Sequence, residues 1–132
     1  MTVIKLCLLT YLFHILDDFV LQPICLSKLK QKSWWDKQLE LMDQDKKDLY
    51  KEDYKTGLSM HAMSWSTMIL IPWFPFVDSG YILLGVWFVN YIVHYYVDDL
   101  KANKGKISLS TDQLIHIIQI AITNIVLILT YE

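Results

Sequence analysis

Histidine and aspartate stand one helical turn apart three times: His14 with Asp18, His94 with Asp98, and Asp112 with His116. Residues at i and i+4 share one face of a helix, so each pair aims an imidazole and a carboxylate the same way. Such pairs ligate zinc and the di-iron sites built inside helical bundles, where the ion offsets the cost of gathering carboxylates away from water. The order reverses in the third pair. If the first and third apolar segments run toward one membrane surface and the last runs away from it, all three aspartates lie nearer that surface, each with its histidine about one turn deeper. His61, one turn into the second apolar segment, falls at a similar depth. The expected ligand set is therefore His14, Asp18, His61, His94, Asp98, Asp112 and His116, around one or two divalent ions. Zinc is the first choice, with iron or manganese as the others. The competing account is a metal-free polar network in which each histidine bonds the aspartate one turn away.

Other polar residues fall near this level. Gln22 extends the face of His14 and Asp18, and Gln113 neighbours Asp112, which makes both of them supports for the ligands. Asp17 and Asp99 sit beside the paired aspartates and point roughly 100° away on a regular helix. They are candidate general bases, or else solvated groups. Lys101, three residues past Asp98, is a candidate for holding an anionic head group above the ion, against simple snorkelling to the interface.

The elements that must position these groups are four apolar segments, at about 3–26, 58–76, 81–98 and 112–130, in a single all-α membrane domain spanning 1–132. Each approaches the roughly 20 residues that cross a hydrocarbon core. A soluble bundle of buried helices is the alternative. Pro23 and the Asp17-Asp18 pair interrupt the first segment, which lacks a small-x-small cleavage pattern and is kept as a mature helix rather than a signal peptide. Eight lysines from Lys28 to Lys55 precede the second segment, and Lys101, Lys104 and Lys106 precede the fourth, whereas the turn at Asp78-Ser79-Gly80 has none. By the positive-inside rule both lysine-rich connections face the cytoplasm and both termini lie outside an inner (cytoplasmic) membrane; Lys5 is the one dissenting charge. In the long connection, about 27–57, Trp35, Leu39, Met42 and Leu49 recur at helical spacing. This predicts one amphipathic helix from Ser33 to Tyr50, either a lid over the site or a cap packed on the bundle.

Composition agrees with that setting. Of 132 residues 54% are hydrophobic and 14% aromatic, more apolar material than a soluble domain of this size needs. The net charge of -2 leaves no basic surface for nucleic acid. Every basic residue is lysine, so bidentate guanidinium forks are unavailable and an anion must be met by point charges or backbone N–H groups. Cys7 and Cys25 would stand about 27 Å apart on one helix, too far to bridge, and both are expected to pack as small apolar groups. No Gly-rich phosphate loop, G-x-S-x-G elbow or Cys-x-x-Cys pair is present.

In order, His14-x-x-x-Asp18-Phe19-x-x-Gln22, an isolated His61, His94-x-x-x-Asp98-x-x-Lys101 and Asp112-Gln113-x-x-His116 resemble the pattern of a small membrane-protein family of bacteria and their phages, domain of unknown function 3307. The likeness covers most of the chain except about Gln31 to Thr56. It implies four membrane segments and a site at the motif positions, and it supplies no reaction.

Two functions of different class follow. The first is a metal-dependent hydrolase of lipid head-group phosphate or ester, its site open to the cytoplasmic leaflet. The second is a non-enzymatic membrane protein: a divalent-cation or proton conduit, or a small phage effector that binds a host membrane protein. A conduit needs the polar path to continue past the histidines, where Thr10, Tyr11, Asn90, Gln119, Thr123 and Asn124 offer a thin one. The expected partners are membrane lipid, with a homo-oligomer or host protein as further options, and no nucleic acid.

Overall fold

The computed structural model describes residues 3–22 and 24–131, with the backbone alone for Cys25 and Tyr131; Pro23 and the packing expected of Cys25 lie outside the described residues. All regular structure among them is helical, as expected. Helix α1 (Val3–Ile15) continues as a π-helical turn over Leu16–Leu21, followed by the short α2 (Ile24–Leu29), α3 (Lys32–Leu39) and α4 (Gln44–Tyr50). Three longer helices complete the chain: α5 (Asp53–Leu70), extended by a 3-10 turn at Ile71–Trp73, then α6 (Gly80–Ala102) and α7 (Leu109–Tyr131).

Local chemistry explains several boundaries. Pro72 lacks the N–H that an α-helix would use, and α5 tightens into its 3-10 turn there. Helix α6 ends at Ala102, and the chain turns away at Gly105, which takes a left-handed φ of 58° while the Lys106 N–H returns to the Leu100 carbonyl at 2.9 Å. Helix α7 starts from Ser108, whose Oγ accepts from the Thr111 N–H at 3.2 Å.

Two sequence expectations need correction. The first segment is not one helix over 3–26, since it widens at Leu16 and breaks after Leu21 before α2 begins. The amphipathic helix expected from Ser33 to Tyr50 is two helices, α3 and α4, interrupted at 40–43. Leu39 is buried and Trp35 partly so, but Leu49 is exposed, so only the first half has a packed face.

Helices α6 and α7 are long and apolar enough to cross a membrane. The interior runs in layers. At one end an apolar cluster joins Leu6, Ile69, Leu70, Trp73, Val77 and Leu127. The rest of the buried interior is largely polar: Thr10, Asn90, Gln119, Thr123 and Asn124 in the middle, then the histidines and aspartates. The outside is the reverse, with Ile4, Leu8 and Leu12 of α1, Leu84 and Phe88 of α6, and Ile118, Ile122 and Ile125 of α7 all exposed.

Candidate metal centre

Helices α5, α6 and α7 bring His61, His94 and His116 together, and all three are buried. His94 is the middle of a stack, its ring 4.2 Å from those of both Trp65 and His116, so its rotamer is fixed by packing on two sides. Its Nε2 lies 3.1 Å from Nε2 of His61. Carboxylate oxygens close on these nitrogens. His61 Nε2 is 3.4 Å from both Asp18 Oδ1 and Asp98 Oδ2, while Asp98 Oδ1 is 3.5 Å from His116 Nε2 and 3.9 Å from His94 Nε2. Two trios, Asp18 with His61 and His94, and His94 with Asp98 and His116, each hold their ligand atoms within 4.8 Å of one another. Ligands at about 2.0–2.1 Å in a tetrahedron stand roughly 3.3 Å apart, so these spacings suit one ion among them.

The i, i+4 pairs do not satisfy one another directly. His14–Asp18, His94–Asp98 and His116–Asp112 stand at 3.6, 3.9 and 3.4 Å, longer than charge-assisted hydrogen bonds. Asp18 Oδ1, Asp112 Oδ1 and His116 Nε2 are buried with no hydrogen-bond partner. Of the four buried aspartates, Asp98 and Asp112 are paired with Lys30 and Lys101, whereas Asp17 and Asp18 face His61. Buried acceptors without a partner beside clustered imidazoles form a donor set that could hold a divalent cation.

His14 stands apart from the convergent set. Its Nδ1 accepts the Trp65 indole N–H at 2.8 Å, and because indole nitrogen only donates, neutral His14 must carry its proton on Nε2. Both nitrogens are thereby committed. Asp112 also lies outside the trios: its Oδ2 takes Lys101 Nζ at 2.6 Å and Gln113 Nε2 at 3.1 Å, while Oδ1 faces His116. The Gln22 amide lies 3.2 Å from His61 Nδ1. Asp99 does not join: Asn103 and Lys104 engage it at 2.9 and 2.6 Å at the end of α6.

Two residues were misjudged or missed in the sequence. Asp17 was expected to point away, but the wide turn at Leu16–Leu21 turns both neighbours inward. Asp17 is buried, bonded through Oδ1 to Ser64 Oγ at 2.6 Å, with Oδ2 3.9 Å from His61 Nδ1. Lys30 is one of eight lysines in its connection by sequence, yet its Nζ meets Asp98 Oδ2 at 2.7 Å and it is only 8% exposed. No local sequence signal marks it, because its partner lies 68 positions away on α6. Lys101 is found at the site mouth rather than beyond it, paired with Asp112.

No protein-family model, curated protein or solved structure matches this chain.

Proposed function

We propose that the chain is an integral membrane metalloprotein of four membrane segments that holds one divalent ion and hydrolyses a phosphate or ester of a lipid head group at the cytoplasmic leaflet. The observation carrying this is the pair of buried trios that share His94, Asp18 with His61 and Asp98 with His116, with acceptors left unpartnered around them. One ion is favoured over two because both trios use His94, whose convergent nitrogen has one lone pair. Zinc suits a mixed imidazole and carboxylate set at these spacings.

Membrane residence is supported by the inverted surface, polar within and apolar without, on α1 as well as on α6 and α7. We take α5, half buried among them, as the fourth segment, with the site toward the lysine-rich side. We carry the resemblance to domain of unknown function 3307 as part of this proposal.

A bound divalent ion supplies Lewis acidity that makes water a nucleophile near neutral pH. The chain supplies the rest. Asp17, held by Ser64 with its Oδ2 free, accepts the proton. Trp65 and Gln22 fix the imidazoles, and Lys101 stands at the mouth with Lys30. Elemental analysis of purified protein tests the metal, with one divalent ion per chain expected in the parent and none in His94→Ala/His116→Ala. Release of phosphate or fatty acid from a lipid panel tests the reaction. Stoichiometric metal with no turnover on any lipid would remove hydrolysis and leave a metal-binding membrane protein.

A further inference from the structure

We infer that Lys30 and Lys101 form a phosphate-binding pair, latched onto Asp98 and Asp112 in the absence of cation and released to bind an anion when a divalent ion draws on those carboxylates. This rests on the metal reading above and adds a second ligand to the same site. A cavity of about 230 Å³ opens at the lysine-rich end, floored by Asp18 and Asp98 and walled by Gln22, Lys30, Lys101 and Gln113. At roughly 30 Å³ per water it holds several waters, enough room for a phosphate group and its ester oxygen.

The two lysines reach the cavity from different elements. Lys30 lies on the elbow between α2 and α3, which is held from three directions. Trp35 Nε1 donates to the Leu29 carbonyl at 2.8 Å, Asn103 Nδ2 to the Lys30 carbonyl at 3.2 Å, and the Lys32 N–H to Asn103 Oδ1 at 2.7 Å. A lysine this buried needs a counter-charge, and Asp98 Oδ2 supplies it at 2.7 Å. Lys101, on the last turn of α6, is paired with the fully buried Asp112 at 2.6 Å.

Asp98 serves two masters: one oxygen faces Lys30 and the other faces His94 and His116. Asp112 repeats the arrangement, with Oδ2 on Lys101 and Oδ1 facing His116. A cation at the histidines competes with the lysines for both carboxylates. Two ammonium groups lining one cavity then lack counter-charge, and a tetrahedral oxyanion with several charged oxygens can accept from both, aided by the Gln22 and Gln113 amides. Lysine meets phosphate as a point charge, which suits a chain without arginine.

Exchange of this kind makes cation and anion binding mutually dependent, each raising the other's affinity by the same factor. The test titrates Mn2+ and inorganic phosphate, separately and together, into the full chain in phospholipid-free detergent, following heat and the Mn2+-dependent broadening of the phosphate 31P resonance. Mn2+ is expected to tighten phosphate binding at least tenfold, with broadening that places phosphate beside the ion. Lys30→Gln/Lys101→Gln should still bind Mn2+ while the coupling falls to within twofold; if that variant does not fold, Lys101→Gln alone should lose at least threefold of it. Mn2+ binding with phosphate affinity unchanged, or coupling intact in these variants, overturns the latch and leaves the metal site standing. No Mn2+ or other divalent ion bound by the parent chain overturns the metal reading and the latch with it. Repeating the titration in nanodiscs of phosphatidylglycerol and of a phosphate-free glycolipid identifies the anion's source. Coupling lost only in phosphatidylglycerol means that a head group already fills the pair; coupling kept in both means free phosphate.

Discussion

The carbonyl oxygen of Leu29 lies 2.7 Å from the place a β-carbon would take on Gly57, and no side chain at that position of α5 can be accommodated without moving α2. Leu29 precedes Lys30, so this close approach sets how far the Lys30 side chain reaches. Gly57→Ala should therefore displace the elbow and cost about 1–3 kcal/mol, as overpacking does. Amine labelling read by mass spectrometry should find Lys30 protected in the parent and reactive in the variant. Protection unchanged in a folded Gly57→Ala protein would separate Gly57 from the placement of Lys30.

Trp65 joins two roles, its N–H committed to His14 and its ring face to His94. Trp65→Phe keeps a ring and deletes the donor, leaving a buried acceptor unsatisfied at about 1–3 kcal/mol. Thermal unfolding in detergent should register that loss. His14→Ala should retain the metal, whereas His94→Ala should not, because His14 has no free nitrogen lone pair toward the cluster. Metal content of the two variants decides it, and loss of metal in both would return His14 to the ligand set.

Much of the site was legible because i, i+4 spacing survives any regular helix: His94 with Asp98 and His116 with Asp112 needed no tertiary knowledge. Asp17 was not legible, because a π turn changes which neighbours share a face and nothing in Leu-Asp-Asp-Phe-Val-Leu announces one. Lys30 was not legible for a different reason, since its contact with Asp98 spans 68 positions and depends on how α2 packs against α5. Of the fold, the helical class and the two most apolar helices could be read from periodicity and hydropathy. The break of the connecting helix at 40–43 could not, because Glu40, Leu41 and Met42 are all competent helix formers.

Removing one partner of a buried ion pair strands the other, at about 3–5 kcal/mol. Lys30→Met should destabilise the metal-free protein by that order, and Lys30→Met/Asp98→Asn should recover most of it, since the stranded charge is gone. Divalent ion should also rescue Lys30→Met, by about 2.7 kcal/mol at a concentration a hundredfold above its dissociation constant. Unfolding transitions of the three proteins with and without Zn2+ provide the comparison. Equal loss in the single and double variants would mean that Asp98 gains nothing from Lys30.

The proposed arrangement of four membrane segments with lysine-rich connections inside makes a topological prediction. In a Cys7→Ser/Cys25→Ser background, a cysteine placed at Asp45 should react with a membrane-impermeant maleimide only after the cells are opened, and one at Ser79 should react in intact cells. The reverse pattern would invert the orientation, and equal labelling of both would remove the four-segment arrangement.

A through-conduit would need the polar layer past the histidines to stay open to the far side. Instead most of its groups bond one another, although Gln119 Oε1 is buried without a hydrogen-bond partner. Gln119 Nε2 donates to the Asn90 carbonyl and to Asn90 Oδ1 at 2.9 and 2.8 Å, and Asn90 Nδ2 donates to Thr123 Oγ1 at 2.9 Å. Beyond them Trp73 closes on Thr10 and Asn124 at 3.2 and 3.1 Å, backed by Leu6, Leu70, Val77 and Leu127. The layer is thus a clamp between α6 and α7 under an apolar seal. Liposomes carrying the protein should pass neither protons nor Zn2+ above the rate of empty liposomes, in the parent and in Asn90→Leu alike. Asn90→Leu should lower the unfolding transition instead, by about 1–3 kcal/mol for the donors and acceptors left unpaired. Flux in the parent that Gln119→Leu abolishes would establish a conduit and overturn the sealed pocket.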